Sequence, residues 1–180
     1  LRHKRVVEHV PEALNAEEID LLLEQLQPKE KKVVMFLHDT GLRVSEMTAL
    51  LWKDVDLDRR IILIRNNKGS KDFRTVPLTK RATKILSDHQ DAMVKSDFVE
   101  LYPRLERNLR DQLGIAASKA KIRHVHPHIF RHTFATELVD ERVPLETIQK
   151  LLGHKGISMT LSYAKKRGKG LREAVGRLNR

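Results

Sequence analysis

The nine residues from position 128 to position 136 decide how the rest of this chain is interpreted. They read His128-Ile129-Phe130-Arg131-His132-Thr133-Phe134-Ala135-Thr136. Pro127 precedes them, and proline is favoured at the first position of a helix. Because residues three apart share a helix face, His128 and Arg131 are expected to project together. The stretch therefore predicts a helix that presents an imidazole and a guanidinium side by side.

Polar residues also stand at the ends of the helices predicted downstream. Pro144 and Gly153 are typical of a helix start and a helix end, and His154 follows directly. Ser158 is suited to cap a short helix that carries Tyr163. His154 is therefore expected just past a helix end, and Tyr163 within a short helix.

Upstream, the sequence predicts helices followed by a β-hairpin. Asn15 and Glu18 form a capping-box pattern at the start of the first helix. Further helices are predicted over 29–39, 43–52 and 79–120, with a turn at 56–58, strands over 61–64 and 73–78, and a glycine-containing hairpin tip between the strands. The predicted fold class is mainly α with a small antiparallel β-hairpin or sheet (α+β).

Composition limits the classes of protein that this chain can be. It has 180 residues, 35 Lys and Arg against 24 Asp and Glu, and a net charge of +11, which favours one domain with a polyanionic partner such as nucleic acid. The absence of cysteine excludes disulfide scaffolds and thiolate chemistry. Only 4% of residues are aromatic, which argues against single-strand binding by base stacking. We expect no membrane span, because no apolar run approaches about 18 residues.

Four histidines could in principle form a zinc site: His124, His126, His128 and His132. Histidines at i and i+4 share a helix face, but no glutamate lies between them. Arg123 and Arg131 lie next to the group, and a neighbouring cation opposes metal binding. We therefore expect no metal site here.

Taken singly, each remaining polar candidate has an ordinary structural explanation, but their order along the chain is specific. The order is Thr40-Gly41-Leu42-Arg43-Val44-Ser45-Glu46, a lysine at the hairpin tip, the stretch from His128 to Thr136, Leu152-Gly153-His154, and Tyr163 nine residues later. This pattern resembles the catalytic domain of the tyrosine recombinases, the phage integrase family, over roughly residues 12–175. The resemblance implies an active-site set of Arg43, Lys68, His128, Arg131, His154 and Tyr163. Lys71 is the alternative to Lys68 at the hairpin tip.

The chemistry that the resemblance implies is phosphoryl transfer between DNA strands. Tyr163 would attack a phosphodiester and form a 3′-phosphotyrosyl link, and His128 would accept the phenol proton. The two arginines and His154 would bind the phosphate oxygens, while Lys68 would protonate the leaving 5′-oxygen. The resemblance implies that this reaction needs neither ATP, metal nor cofactor.

The resemblance also implies a domain organisation and partners. Residues 1–11 are expected to be a linker from an N-terminal DNA-binding domain, 12–164 the catalytic domain, and 165–180 a tether and C-terminal helix. That helix would pack on its own domain or exchange between protomers. The expected partners are double-stranded DNA and further copies of the chain, as dimers to tetramers on DNA. The expected location is the cytoplasm of a prokaryotic or phage-infected cell.

Two alternative functions stay open from the sequence. A type IB topoisomerase uses similar chemistry but relaxes supercoils. A catalytically inactive DNA-binding regulator would keep the fold without the reaction.

Overall fold

Helices build most of this molecule, and a small sheet completes it. The computed structural model describes residues 13–65, 73–92, 105–154 and 156–163. The helices are α1 (Ala16–Glu24), α2 (Pro28–Thr40), α3 (Val44–Thr48), α4 (Lys80–Ala92), α5 (Leu105–Lys119), α6 (His128–Asp140), α7 (Leu145–Leu152) and α8 (157–163), and the strands are β1 (Val55–Asp56), β2 (Ile61–Arg65) and β3 (Phe73–Pro77). This architecture confirms the predicted fold class. In the described part of the chain, no helix has the length and apolar character needed to cross a bilayer.

The predicted helix ends are confirmed at two places. Asn15 caps α1, since its side chain accepts from the Glu18 N–H at 2.8 Å while the Glu18 carboxylate accepts from the Asn15 N–H at 2.9 Å. Gly153 ends α7 in the left-handed conformation, with a φ of 64°. Ser158 is not a cap, because α8 begins one residue before it.

The region between α3 and β2 differs from its prediction. The helix predicted over 43–52 ends at Thr48, and Trp52–Asp54 form a separate 3₁₀ turn. Tertiary contacts outweigh helix propensity here, because the buried Asp54 carboxylate accepts from Arg65 Nη2 on β2 at 2.7 Å. The predicted turn at 56–58 is also partly wrong, since Asp56 belongs to β1.

The three strands form one antiparallel sheet in the order β1-β2-β3. Ile62 pairs with Val76 and Ile64 pairs with Arg74, and all four side chains lie on the buried face. A guanidinium on the inner face of a strand must find acceptors inside the protein. Arg74 finds them at the site described below.

The core has two parts, and the polar site lies where they meet. The larger cluster joins α1, α2, the sheet, α4, α5 and the start of α6, and α2 packs against both α4 and α6. The smaller cluster contains Ala135, Val139, Ile148, Leu152 and Tyr163. Helix α6 belongs to both clusters, so its first turns lie at their junction.

The turn after α2 gives a stability prediction. Gly41 has a φ of 63°, and a Cβ built there would lie 2.3 Å from Cδ1 of Phe134. Gly41→Ala should lower the free energy of unfolding by about 2–4 kcal/mol, from left-handed strain and overpacking together. In the matched variant Gly114→Ala, the new methyl lies inside α5 with its nearest neighbour at 3.7 Å. That variant should gain about 0.5–1 kcal/mol. Urea unfolding measures both, and a Gly41→Ala protein as stable as the parent would refute the packing argument.

Candidate active site

Arg131 holds two loops together from the first turn of α6. Its Nη1 donates to the Gly41 carbonyl oxygen at 2.8 Å, and its Nη2 donates to the Leu152 carbonyl oxygen at the end of α7. The residue is only 4% exposed. Burial, followed by the nearby positive charge of Arg43, lowers its pKa to about 10, so it stays charged at neutral pH. A buried cation therefore lies between the loop after α2 and the end of α7.

Glu46 gathers the other arginines around one carboxylate. Arg43 donates to it through Nη1 at 2.8 Å and through its backbone N–H at 2.9 Å, and Arg74 Nη2 donates at 2.8 Å. Arg131 Nη1 lies 3.9 Å away. Although burial alone would raise the pKa of Glu46, the hydrogen bonds from Arg74 and the Arg43 backbone hold it below its usual range. Because three guanidinium groups face a single carboxylate, the site keeps a net positive charge.

Arg74 links this carboxylate to the end of α7. Its Nε donates to the Leu151 carbonyl oxygen at 2.8 Å, while its Nη2 is bound to Glu46. A Cβ at Gly153 would lie 2.9 Å from Arg74 Nη1, so the guanidinium packs directly against that glycine. Arg74 therefore fixes the loop that presents His154.

His154 is buried behind the end of α7. Its Nδ1 lies 3.0 Å from the Thr160 hydroxyl, and its side chain is 6% exposed. Burial, followed by the charges of Arg131 and Arg43, lowers its pKa to about 4. The imidazole is therefore neutral at physiological pH and can donate one ring N–H.

Tyr163 lies between two imidazoles. Its hydroxyl is 3.0 Å from Nδ1 of His132, and the two ring centroids are 5.6 Å apart at 52°. Its ring stacks on His154 with centroids 6.3 Å apart and planes inclined by 13°. Burial raises the pKa of the phenol, and the positive charges of Arg131 and Arg43 oppose that rise. The hydroxyl is thus held close to the arginine cluster.

His128 is the first residue of α6 and is exposed. Its pKa is lowered by partial burial and then by the positive charges of Arg131, which lies one turn along the same helix, and of Arg43. Within the described ranges, no three His, Cys, Asp or Glu side chains are grouped closely enough to hold a metal ion. His132 instead contacts Tyr163. Lys68 and Lys71 lie outside the described residues, as do 1–11 and 165–180.

The structure brings together five of the six residues that the resemblance implies: Arg43, His128, Arg131, His154 and Tyr163. Sequence reasoning missed Glu46, Arg74 and His132 as members of the site. Two signals could have found the last two of these residues. Arg74 stands at an inward position of a strand, and His132 lies one helical turn after His128.

Comparisons with known proteins identify the family of this chain. The profile described as the phage integrase family matches residues 12–169. The tyrosine recombinase XerA of Thermococcus kodakarensis is 37% identical over 185 residues, covering 97% of this chain and 65% of the relative. XerC of Listeria welshimeri is 34% identical over 174 residues, covering 86% of this chain and 57% of the relative. This chain therefore spans less than two thirds of these relatives.

Solved structures show the same fold. A crystal structure of XerA recombinase superposes with a TM-score of 0.74 at 28% identity, covering 95% of this chain and 66% of that one. The catalytic domain of bacteriophage HP1 integrase gives 0.64 at 27% identity, covering 91% and 93%. XerH recombinase, bound to palindromic difH substrate in a post-cleavage complex, gives 0.76 at 23% identity, covering 94% and 54%. Because the family profile matches residues 12–169 and the chain has this fold around Tyr163, the chain belongs to the phage integrase family of tyrosine recombinases.

Proposed function

We propose that this chain is the catalytic part of a site-specific DNA recombinase or integrase that cleaves and rejoins strands through a 3′-phosphotyrosyl intermediate. One observation carries the proposal: the Tyr163 hydroxyl contacts His132 while its ring stacks on His154, within the electrostatic influence of Arg43 and Arg131. The names of the relatives support the same reaction, and the XerH complex supports DNA as the substrate.

The arginines are proposed to bind the scissile phosphate. Arg43 is about one-third exposed, so its guanidinium can reach a DNA phosphate while Glu46 orients it. Arg131 is already anchored to two carbonyl oxygens and adds a fixed positive charge. A planar guanidinium group can donate two parallel hydrogen bonds to two non-bridging oxygens of one phosphate. Their surplus charge would stabilise the pentacoordinate transition state, a role that Mg²⁺ fills in metal-dependent phosphoryl transfer.

His154 and His128 complete the phosphate site in this proposal. If the Thr160 hydroxyl donates to Nδ1 of His154, the ring proton is on Nε2 and can be donated to a phosphate oxygen. The low pKa of His154 keeps that arrangement constant across the physiological pH range. His128, exposed at the start of α6 near both guanidiniums, is placed to meet the DNA backbone.

The reaction balances without an external energy source. The phenol of Tyr163 gives its proton to a neighbouring imidazole as its oxygen forms a bond to phosphorus and the bond from phosphorus to the 5′-oxygen breaks. The leaving 5′-oxygen takes a proton from Lys68, or from Lys71, at the hairpin tip. A 5′-hydroxyl of the partner strand then reverses the step. Because the phosphotyrosyl link keeps the energy of the broken bond, no ATP is required, and in this proposal the arginines supply the positive charge that a metal would otherwise provide.

The partners follow from the same proposal. The net charge of +11 suits the backbone of double-stranded DNA, and strand exchange between two duplexes requires dimers to tetramers of the protein. Residues 1–11 would connect to an N-terminal DNA-binding domain, and 165–180 would form the tether and helix that join protomers. The proposed location is that of the DNA, the prokaryotic cytoplasm.

A selection for covalent capture tests the function without knowledge of the target sequence. The protein is incubated with nicked duplexes of randomised sequence, in which cleavage next to the nick releases a short fragment and blocks rejoining. Adducts that survive SDS are collected and sequenced. We expect enrichment of one family of duplexes, whereas capture of none would overturn the proposal. If the protein also relaxes plasmids that lack this sequence, it would instead be a topoisomerase.

Chelation gives a further prediction. Capture of the selected duplex should proceed at the same rate in excess EDTA, because guanidinium groups supply the charge at phosphorus. Single-turnover assays with and without EDTA measure this. Loss of capture in EDTA with rescue by a divalent ion would contradict the arginine-based mechanism.

A further inference from the structure

His132 is the imidazole that lies at the reacting atom of Tyr163. Its Nδ1 is 3.0 Å from the phenol oxygen, and it extends from α6 one helical turn after His128. It is half-buried beside the smaller hydrophobic cluster that contains Tyr163. The family pattern quoted above gave it no role.

We propose that His132 is a catalytic residue that accepts the Tyr163 proton during strand cleavage and returns it during rejoining. The inference rests on the proposed function, and it moves the role of proton acceptor from His128 to His132. A general base acts on an atom within about 2.6–3.2 Å, or through one water. His132 Nδ1 meets that condition.

The geometry separates His132 from the other imidazole at Tyr163. The His154 ring stacks nearly parallel to the ring of Tyr163, so its contact is with the ring, whereas the hydroxyl is in hydrogen-bond contact with His132. Nδ1 of His154 is also engaged by Thr160. The His132 ring is tilted by 52° and presents Nδ1 to the hydroxyl.

The phenol needs such an acceptor because it is a weak nucleophile while protonated. A phenol with a pKa of about 10 is ionised in roughly one molecule in a thousand at pH 7. Burial of Tyr163 raises its pKa further, although Arg131 and Arg43 oppose that effect. A base in hydrogen-bond contact removes the proton as the oxygen–phosphorus bond forms, so the free phenolate need not be populated first.

The proton balance closes over the full reaction. In cleavage, the O–H bond of Tyr163 breaks and its proton passes to His132 Nδ1 while the phenol oxygen binds phosphorus. In rejoining, the imidazolium of His132 returns this proton to the leaving phenolate, and the general acid at the hairpin tip recovers its own from the attacking 5′-hydroxyl. No further reactant is needed.

Two substitutions at position 132 distinguish a base from a residue that only positions Tyr163. His132→Ala removes the hydrogen bond, while His132→Asn can place an amide near the position of Nδ1 but cannot take a proton at neutral pH. Single-turnover cleavage of the duplex selected by the parent protein should fall about 10²–10³-fold in both variants, as expected for loss of a general base. DNA affinity should not change. The exposed His124, as His124→Ala, is the matched control and should cleave like the parent.

Each other result has a definite meaning. If His132→Asn cleaves at a rate close to that of the parent, His132 only positions Tyr163. If His132→Ala cleaves faster than the parent, the hydrogen bond with His132 holds Tyr163 in an inactive position. Either result overturns the inference. If the parent captures no duplex, the proposed function fails instead. Thermal unfolding checks that each variant is folded, and His132→Asn alone decides the question if His132→Ala is not.

A more acidic nucleophile provides an independent readout. The chain has two tyrosines, so 3-fluorotyrosine incorporated into a Tyr102→Phe background labels Tyr163 alone. Fluorination makes the phenol more acidic, so the phenol depends less on a base. It should therefore increase the cleavage rate of His132→Ala by a larger factor than it changes the cleavage rate of the parent. An equal factor in both proteins would contradict the role of His132 as a base.

Discussion

Tyr163→Phe is expected to abolish covalent capture of DNA while leaving the protein folded. The substitution keeps the aromatic ring in its place between His132 and His154 and removes only the hydroxyl. The free energy of unfolding should change by no more than about 1–2 kcal/mol, the range for one lost hydrogen bond. SDS gels of the trapped duplex measure the capture, and a mobility-shift titration measures binding.

The matched control for this prediction is the other tyrosine of the chain. Tyr102→Phe removes a phenol of the same type and should capture DNA like the parent. If the Tyr163→Phe protein still formed an SDS-stable adduct, another residue would be the nucleophile.

Arg131→Lys is expected to have the second largest effect, although it conserves the charge. One ammonium group cannot donate to both the Gly41 and the Leu152 carbonyl oxygens as the guanidinium does. Leaving one buried carbonyl unpaired should cost about 1–3 kcal/mol of stability. Loss of the proposed planar contact to phosphate should slow cleavage by about 10²–10³-fold, as for removal of one donor to a transition-state oxyanion.

Arg59→Lys is the surface control for that variant. Arg59 is 80% exposed and meets Asp56 at 3.8 Å, so its replacement should alter neither stability nor cleavage. Stability is measured by thermal unfolding and cleavage by single-turnover assay at a temperature where both proteins are folded. Arg131→Lys cleaving at the parental rate would contradict the assignment of Arg131 to the phosphate.

Local signals in the sequence predicted much of the fold. The Asn15–Glu18 capping box and the glycine after α7 act within a few residues, so the sequence alone reveals them. The end of α3 and strand β1 could not be predicted in the same way. They depend on the Asp54–Arg65 ion pair and on pairing with β2, which are contacts between separate elements.

In the site, too, local motifs could be predicted from the sequence, whereas contacts between separate elements could not. The ordered motif pointed to Arg43, Arg131, His154 and Tyr163, which the structure brings together. Glu46 stood inside the quoted motif, yet its contact with Arg74 joins residues 28 positions apart. The contact of His132 with Tyr163 spans 31 positions and depends on how α8 packs against α6. Such pairings are set by tertiary packing, which periodicity and spacing do not encode.

The buried arginines also show that one residue can serve fold and site together. Arg74 holds the loop before His154, and Arg131 joins that loop to Gly41. Because these cations are fixed by backbone carbonyls before DNA arrives, little reorganisation is needed when a phosphate binds. A preorganised positive site is consistent with the proposed metal-independent transfer.

Identification of the residue that is joined to DNA tests the proposed reaction most directly. The adduct captured on the selected duplex is digested with protease and nuclease, and the modified peptide is sequenced by mass spectrometry. We predict a single nucleotide linked through its 3′-phosphate to the oxygen of Tyr163. A nucleotide attached to any other residue, or linked through a 5′-phosphate, would contradict the proposed reaction.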